Sequence, residues 1–194
     1  MSAMVRAKDN PFAVDRVLRE RYRLNERGLA ELLEKWERLG RRGALVGAHG
    51  SGKTTLLEDL AVRLERDGWR AHWVRLSAEF SRLPEVCDAG FFAGLGGEDV
   101  VLVDGAEQLG FVAWRIFRYR VRRAGGLLVT THRAGRLGTL RRCETTAELL
   151  RELVGALGET VSAEEARRLH ARHRGNVREA LRELYDRCAA GRRG

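Results

Sequence analysis

Apolar residues along this chain follow two alternating periods. Ala44-Leu45-Val46, Asp99 to Asp104 and Leu127 to Thr131 are short, nearly unbroken apolar runs, the form taken by strands buried in a parallel sheet, and Ala71 to Leu76, interrupted by His72 and Arg75, is a plausible strand as well. A further short strand is expected at Leu140 to Thr145. Between these runs the apolar spacing becomes helical. Asn10-Pro11 opens a helix to about Arg23, and a second from about Glu26 to Leu39 sets Leu29, Leu32, Leu33, Trp36 and Leu39 on one side before Gly40 ends it. Helices are also expected from Thr55 to about Asp67, near Pro84 to Gly94, and from Phe111 to about Ala124, where Gly125-Gly126 stops the last. From Thr145 onward the pattern is all helical. Thr145-Thr146-Ala147-Glu148 reads as a capping box, Ser162-Ala163-Glu164-Glu165 as a second, and Asn176 with Glu179 as a third helix start.

This order predicts an α/β fold: a mostly parallel five-stranded sheet between helices, followed by a small C-terminal helical lid. N-terminal helices would occupy residues 1–40, the core 41–145 and the lid 146–190. In such sheets the ligand lies at the carboxyl ends of the strands.

The chemistry at that end is explicit after the first strand. Gly47-Ala48-His49-Gly50-Ser51-Gly52-Lys53-Thr54, followed by Thr55, matches G-x-x-x-x-G-K-[ST] in its strand-to-helix setting, so the core is expected to be that of a P-loop NTPase. The glycines let successive N–H groups converge on one anion, and the helix behind them presents its positive end to the same place. Lys53 would reach the β- and γ-phosphates, and the Thr54 hydroxyl would join the shell of a Mg²⁺ ion. Lys53 is one of only three lysines among 36 basic residues, so composition does not account for it. Asp104, at the end of the most apolar strand, takes the Walker B position, a second ligand for Mg²⁺.

Composition adds the partners. A formal charge of +9 and the excess of arginine favour an acidic partner such as nucleic acid. The helix from Phe111 interleaves Trp114, Phe117 and Val121 with Arg115, Arg118, Arg122 and Arg123. It reads either as a nucleic-acid face or as an amphipathic helix with its aromatics against the sheet. No run of eighteen apolar residues and no signal-peptide core occur, so a soluble, cytoplasmic protein without a membrane partner is expected. Cys87, Cys143 and Cys188 are odd in number and share no metal-ligand spacing, as expected of reduced thiols.

With these motifs in this order, the chain resembles the AAA+ ATPases over about residues 40–190. The distinguishing stretch is Gly175-Asn176-Val177-Arg178-Glu179, which is similar to the sensor 2 motif of enhancer-binding activators and replication initiators. The resemblance implies that Arg178 reaches the γ-phosphate of ATP. A cation in the first turn of a helix is also opposed by the helix dipole, by roughly 0.3–1 kcal/mol, unless an anion lies nearby. Val129 to Gly135 resembles the sensor 1 segment of branch-migration motors, which implies that Thr131, with Thr130 in reserve, positions the attacking water. Leu140-Arg141-Arg142-Cys143 is similar to the clamp-loader Ser-Arg-Cys box, so Arg142 matches an arginine finger shared between subunits. Arg122 and Arg123 are competitors for that role. The family's Walker B strand usually ends Asp-Glu, whereas here Gly105 follows Asp104 and the next carboxylate is Glu107. Either Glu107 serves as the base, or ATP is bound and turned over slowly.

Three function classes follow. The first is an ATPase that uses ATP and Mg²⁺ and couples nucleotide state to a protein partner, a second copy or nucleic acid. The second is an ATP-binding switch without turnover. The third is a small-molecule P-loop kinase, which would need a substrate lid within the core.

Overall fold

The computed structural model describes residues 26–77 and 87–191. The helix expected from Asn10 to Arg23 and the first residues of that expected near Pro84 lie outside them. The described residues form two compact units: one of residues 26–47 and 53–142, the other of residues 48–52 and 143–191.

The larger unit is built on a five-stranded sheet. Its strands are β1 (Arg42–Gly47), β2 (Arg70–Arg75), β3 (Asp99–Asp104), β4 (Gly126–Thr131) and β5 (Gly138–Cys143), in the spatial order β2-β3-β4-β1-β5. The pairs β2/β3, β3/β4 and β4/β1 are parallel, with Val74 opposite Val103, Val103 opposite Val129 and Val46 opposite Thr131. Every residue of β4 is buried, which is why it reads as a run and not as an alternation. The fifth strand falls two residues earlier than the sequence suggests.

Helices cover both faces. One face carries α2 (Lys53–Arg66), whose Leu56, Leu57, Leu60, Ala61 and Leu64 are buried and which packs on β1 to β4. α1 (Glu26–Arg38) buries Leu29, Leu32 and Trp36, and the Trp36 indole donates to Leu127 O at 3.3 Å. On the other face, α3 (Ala89–Gly94) and α4 (Phe111–Arg120) place Phe92, Trp114 and Phe117 against Ala44, Val101, Val103 and Val129. The aromatics Trp114 and Phe117 therefore face the sheet, as the amphipathic reading requires. α4 ends four residues early and continues as a 3₁₀ turn, Val121–Arg123.

The smaller unit packs α5 (Ala147–Ala156), α6 (Ala163–Arg172) and α7 (Val177–Gly191) around Leu150, Leu153, Leu169, Val177 and Leu181. Ser162 caps α6 through Glu165 N at 3.1 Å, and Asn176 caps α7 through Glu179 N at 3.2 Å. The cap of α5 is Thr146, not Thr145: Thr146 takes the extended conformation and accepts from Leu149 N at 3.1 Å. Thr145 is used elsewhere, donating to Gly175 O at 2.6 Å. All three cysteines are free thiols. Among the described residues no helix is long and apolar enough to cross a membrane.

At the opposite end of the sheet from Gly47, Asp99 is buried, accepts from Arg70 Nε at 2.9 Å and from Gly96 N at 2.6 Å, and lies 2.7 Å from His72 Nε2. The Arg70 hydrogen bond, with help from His72 and Gly96, outweighs burial and holds its carboxyl well below the usual carboxylate range. A depressed folded pKa contributes stability above the unfolded value, about 3.9, that is lost as pH falls towards the folded one. Asp99→Asn is therefore expected to lower the urea midpoint at pH 7 by an amount that shrinks steadily below about pH 4. A pH-independent difference would show that the charge of Asp99 is not what stabilises this corner.

Candidate functional site

The site is assembled from strand ends that the parallel register brings level. Because Val103 pairs with Val129, the next position sets Asp104 beside Thr130. The Thr130 hydroxyl donates to Asp104 Oδ1 at 2.6 Å and accepts from Gly105 N at 2.8 Å. A hydroxyl has one proton, so the incoming N–H leaves that proton directed at the carboxylate. At the start of α2, Thr54 Oγ1 lies 3.1 Å from Asp104 Oδ2 and 3.2 Å from Oδ1. Lys53 is buried, with its ammonium donating to Gly47 O at 2.8 Å. These are the residues the motif assigns to phosphate and Mg²⁺, and Thr54 and Asp104 together present the hard oxygen donors that such an ion takes.

The residue after Asp104 departs from the expected glutamate for a local reason. Gly105 has φ +84°, and a Cβ there would meet Leu76 O at 2.5 Å. Leu76 N is itself bonded to Asp104 O, which pins the carbonyl of Leu76 against the turn. No side chain fits, and the next carboxylate is carried on the 3₁₀ turn Ala106–Gln108.

That carboxylate is Glu107. Its Oε1 lies 3.1 Å from His132 Nε2, just past the end of β4, while its Oε2 is buried and accepts no hydrogen bond from the described residues. Arg136 donates to Leu109 O and Glu107 O and lies over the Trp114 ring, so the backbone of the turn is held as well. His132 was legible only as part of the segment Val129 to Gly135; its pairing with Glu107 depends on the end of β4 lying beside the turn. Of the two adjacent hydroxyls, Thr130 reaches the acidic centre. Thr131 Oγ1 donates to Arg133 O at 3.1 Å, on the other side of the strand.

In the smaller unit, the loop Ala48–Gly52 closes on itself through Ser51 N to Ala48 O at 3.3 Å. Ala48 and His49 are exposed, Ser51 is buried with its hydroxyl unpartnered among the described residues, and Thr55 follows half-buried in α2. Gly50 has φ +70°, and a Cβ on it would lie 2.1 Å from Asn176 Oδ1 and 3.4 Å from Arg178 Cβ. The loop backbone thus touches the start of α7. Asn176 is turned into the cap of that helix, Val177 is buried, and Arg178 is exposed on its first turn. Thr145, bonded to Gly175 O, lies 3.1 Å from His170 Nε2 and fixes the approach to the helix.

The remaining candidates stand apart from these contacts. Arg142 is exposed on β5. Arg122 lies on the 3₁₀ turn, stacked 3.8 Å from the Tyr119 ring centroid, and Arg123 follows it, exposed. No cluster of three His, Cys, Asp or Glu side chains suited to a metal occurs among the described residues. A Mg²⁺ ion at Thr54 and Asp104 would take most of its ligands from phosphate and water.

No protein-family model and no curated protein sequence matches the chain. Solved structures do resemble it. One is described as a DNA replication initiation factor, with a TM-score of 0.56 and 17% identity, covering 86% of this chain and 62% of that one. Another is domain III of the Thermotoga maritima replication initiation protein DnaA, with a TM-score of 0.56, 14% identity and coverage of 87% and 85%. This chain spans less than two thirds of the first protein's length. At these identities the likeness is one of fold, a five-stranded α/β sheet with helices on both faces.

The turn after Asp104 generates a stability prediction. Gly105→Ala combines a left-handed conformation costing roughly 1–2 kcal/mol with a Cβ against the Leu76 carbonyl. A fall in Tm of roughly 2–4 °C for each kcal/mol lost is expected in thermal denaturation. An unchanged Tm would mean that the turn relaxes and that its shape is not what excludes a side chain.

Proposed function

We propose that this chain is an AAA+-type ATPase that binds ATP with Mg²⁺, hydrolyses the terminal phosphoanhydride and couples nucleotide state to a protein or nucleic-acid partner. The observation that carries the reading is the pairing of a P-loop helix with Asp104 at the end of β3, followed by Glu107 on the next turn with a buried carboxylate oxygen that has no partner among the described residues. The N–H groups of the loop and the first turn of α2 bind the phosphates, and Lys53 neutralises them. Thr54 and Asp104 would hold Mg²⁺, which when bound supplies Lewis-acid neutralisation of the phosphate oxygens. Thr130 orients Asp104 for that role.

Glu107 Oε2 takes a proton from the attacking water as the water oxygen bonds to the γ-phosphorus and the bond to the bridging oxygen breaks, leaving ADP and phosphate. His132 is a positioning residue, fixing Oε1 so that Oε2 is the free acceptor. Arg178 supplies a second cation for the γ-phosphate, and Arg142 is the candidate finger offered to a second copy. A switch that binds ATP without turnover is favoured by one specific feature, the glycine at the position after Asp104. Tight packing of Gly105 against Leu76 gives that glycine a structural reason of its own, so it does not argue against turnover.

Steady-state phosphate release from ATP and Mg²⁺, measured against protein concentration, tests this. Glu107→Gln is expected to bind ATP, with its Tm raised as in the parent, while release falls roughly 10²–10⁴-fold. Lys53→Ala is expected to lose the ATP-dependent rise in Tm, which at a hundredfold excess over Kd corresponds to about 2.7 kcal/mol. Release from no protein at any concentration, with the Tm rise intact, would establish the switch instead, and phosphate transfer to a small acceptor would establish a kinase. His132→Ala is expected to lower kcat with KM for ATP unchanged. A rise in KM alone would overturn its positioning role.

A further inference from the structure

The outer side of α4 carries groups that neither the fold nor the nucleotide site uses. Trp114, Phe117 and Val121 face the core, but Phe111 is 73% exposed and Tyr119 is 66% exposed. Between Phe111 and Arg123 there are five arginines and no carboxylate. Phe111, Arg115, Arg118 and Arg122 recur at helical spacing, so they share one side over roughly 16 Å of helix. With Tyr119 and Arg136 they line an open groove of about 750 Å³.

We propose that this groove binds single-stranded nucleic acid. Three arginines in one row repel one another and have no carboxylate on their own helix to offset them, so a polyanion is the ligand that relieves the site. The rings identify which polyanion. The Arg115 guanidinium lies over Phe111 at 5.7 Å and that of Arg122 over Tyr119 at 3.8 Å, and the exposure of both rings leaves further ring surface to solvent. Aromatic faces braced by arginine stack on unpaired bases, which a duplex keeps inside its own stack. The guanidinium groups alongside meet the phosphates. The aliphatic residues Val112 and Ile116 lie on the neighbouring strip of the helix and do not line the groove, which separates it from an apolar docking face for a protein. This assignment names a partner for the proposed ATPase but does not depend on nucleotide binding.

Fluorescence anisotropy with a labelled oligothymidylate of about 20 nucleotides tests it on the full chain. Binding is expected to weaken between about 50 and 200 mM salt, with a log–log slope near −2 if Arg115, Arg118 and Arg122 each meet one phosphate. Phe111→Ala and Tyr119→Ala are each expected to weaken binding roughly five- to a hundredfold, with melting temperature unchanged because both side chains lie at the surface. The triple arginine-to-alanine variant is expected to flatten the salt slope, and the triple arginine-to-lysine variant to restore it. Lys53→Ala is expected to bind the oligonucleotide like the parent, so failure of the ATPase reading leaves this result readable. Three outcomes overturn the proposal: no binding at low salt, equal binding of a duplex of the same length, or complete competition by poly-glutamate with no effect of the ring variants. The last would mark the groove as a site for an acidic protein.

Discussion

The contact of one carboxylate with two hydroxyls is the constraint on which the rest of the site depends. Asp104 is reached by Thr130 from the neighbouring strand and by Thr54 from the helix that follows the P-loop. The ends of β3 and β4 and the start of α2 therefore have to lie level, which the parallel order with β4 between β1 and β3 provides. The fully buried β4 supplies the adhesion, since its apolar side chains are covered on both faces. The hydroxyl of Thr130 contributes the direction: it accepts from the Gly105 backbone and spends its only proton on Asp104.

From that centre the glycine after Asp104 becomes a consequence of packing. The end of β2 brings the Leu76 carbonyl against the turn, which excludes a side chain at Gly105 and moves the next acidic position onto a 3₁₀ turn. A carboxylate two residues further on does not point by default where one directly after the aspartate would. Here it is aimed by a partner from outside its own segment, His132, and the turn beneath it is held by Arg136. The same arginine braces Trp114, so the backbone under Glu107 and the helix that carries the exposed arginine groove share one contact.

The smaller unit shows the same economy within its own loop. Gly50 is needed both for a left-handed turn and because Asn176 and Arg178 lie against it. Asn176 is at once the cap of α7 and the neighbour of that glycine. A larger side chain at Gly50 would disturb the loop and the first turn of the helix together.

How far these features were legible depended on how local they were. Strand runs such as Asp99 to Asp104, the helical spacing in α1 and α2, the Ser162 and Asn176 caps and the P-loop itself involve neighbours within a few residues, and periodicity or a fixed spacing reveals them. The cap at Thr145 was misplaced by one residue because Thr145 and Thr146 offer the same hydroxyl. Gly175, thirty residues away along the chain, claims the first and leaves the second to the helix. On α4 the helical spacing singled out Trp114 and Phe117, but the exposure of Phe111 and Tyr119 emerged only once the sheet defined which side was inside. Sequence by itself determined the element order, the sheet class and the glycine-rich turn from β1 into α2, because these follow from backbone sterics and the alternation of apolar and polar positions. Only the tertiary structure decided that Thr130 and not Thr131 faces Asp104, that Glu107 is paired with His132, and that Gly105 admits no side chain. Each of those is a contact between residues far apart in the chain, set by strand register and packing that no local spacing encodes.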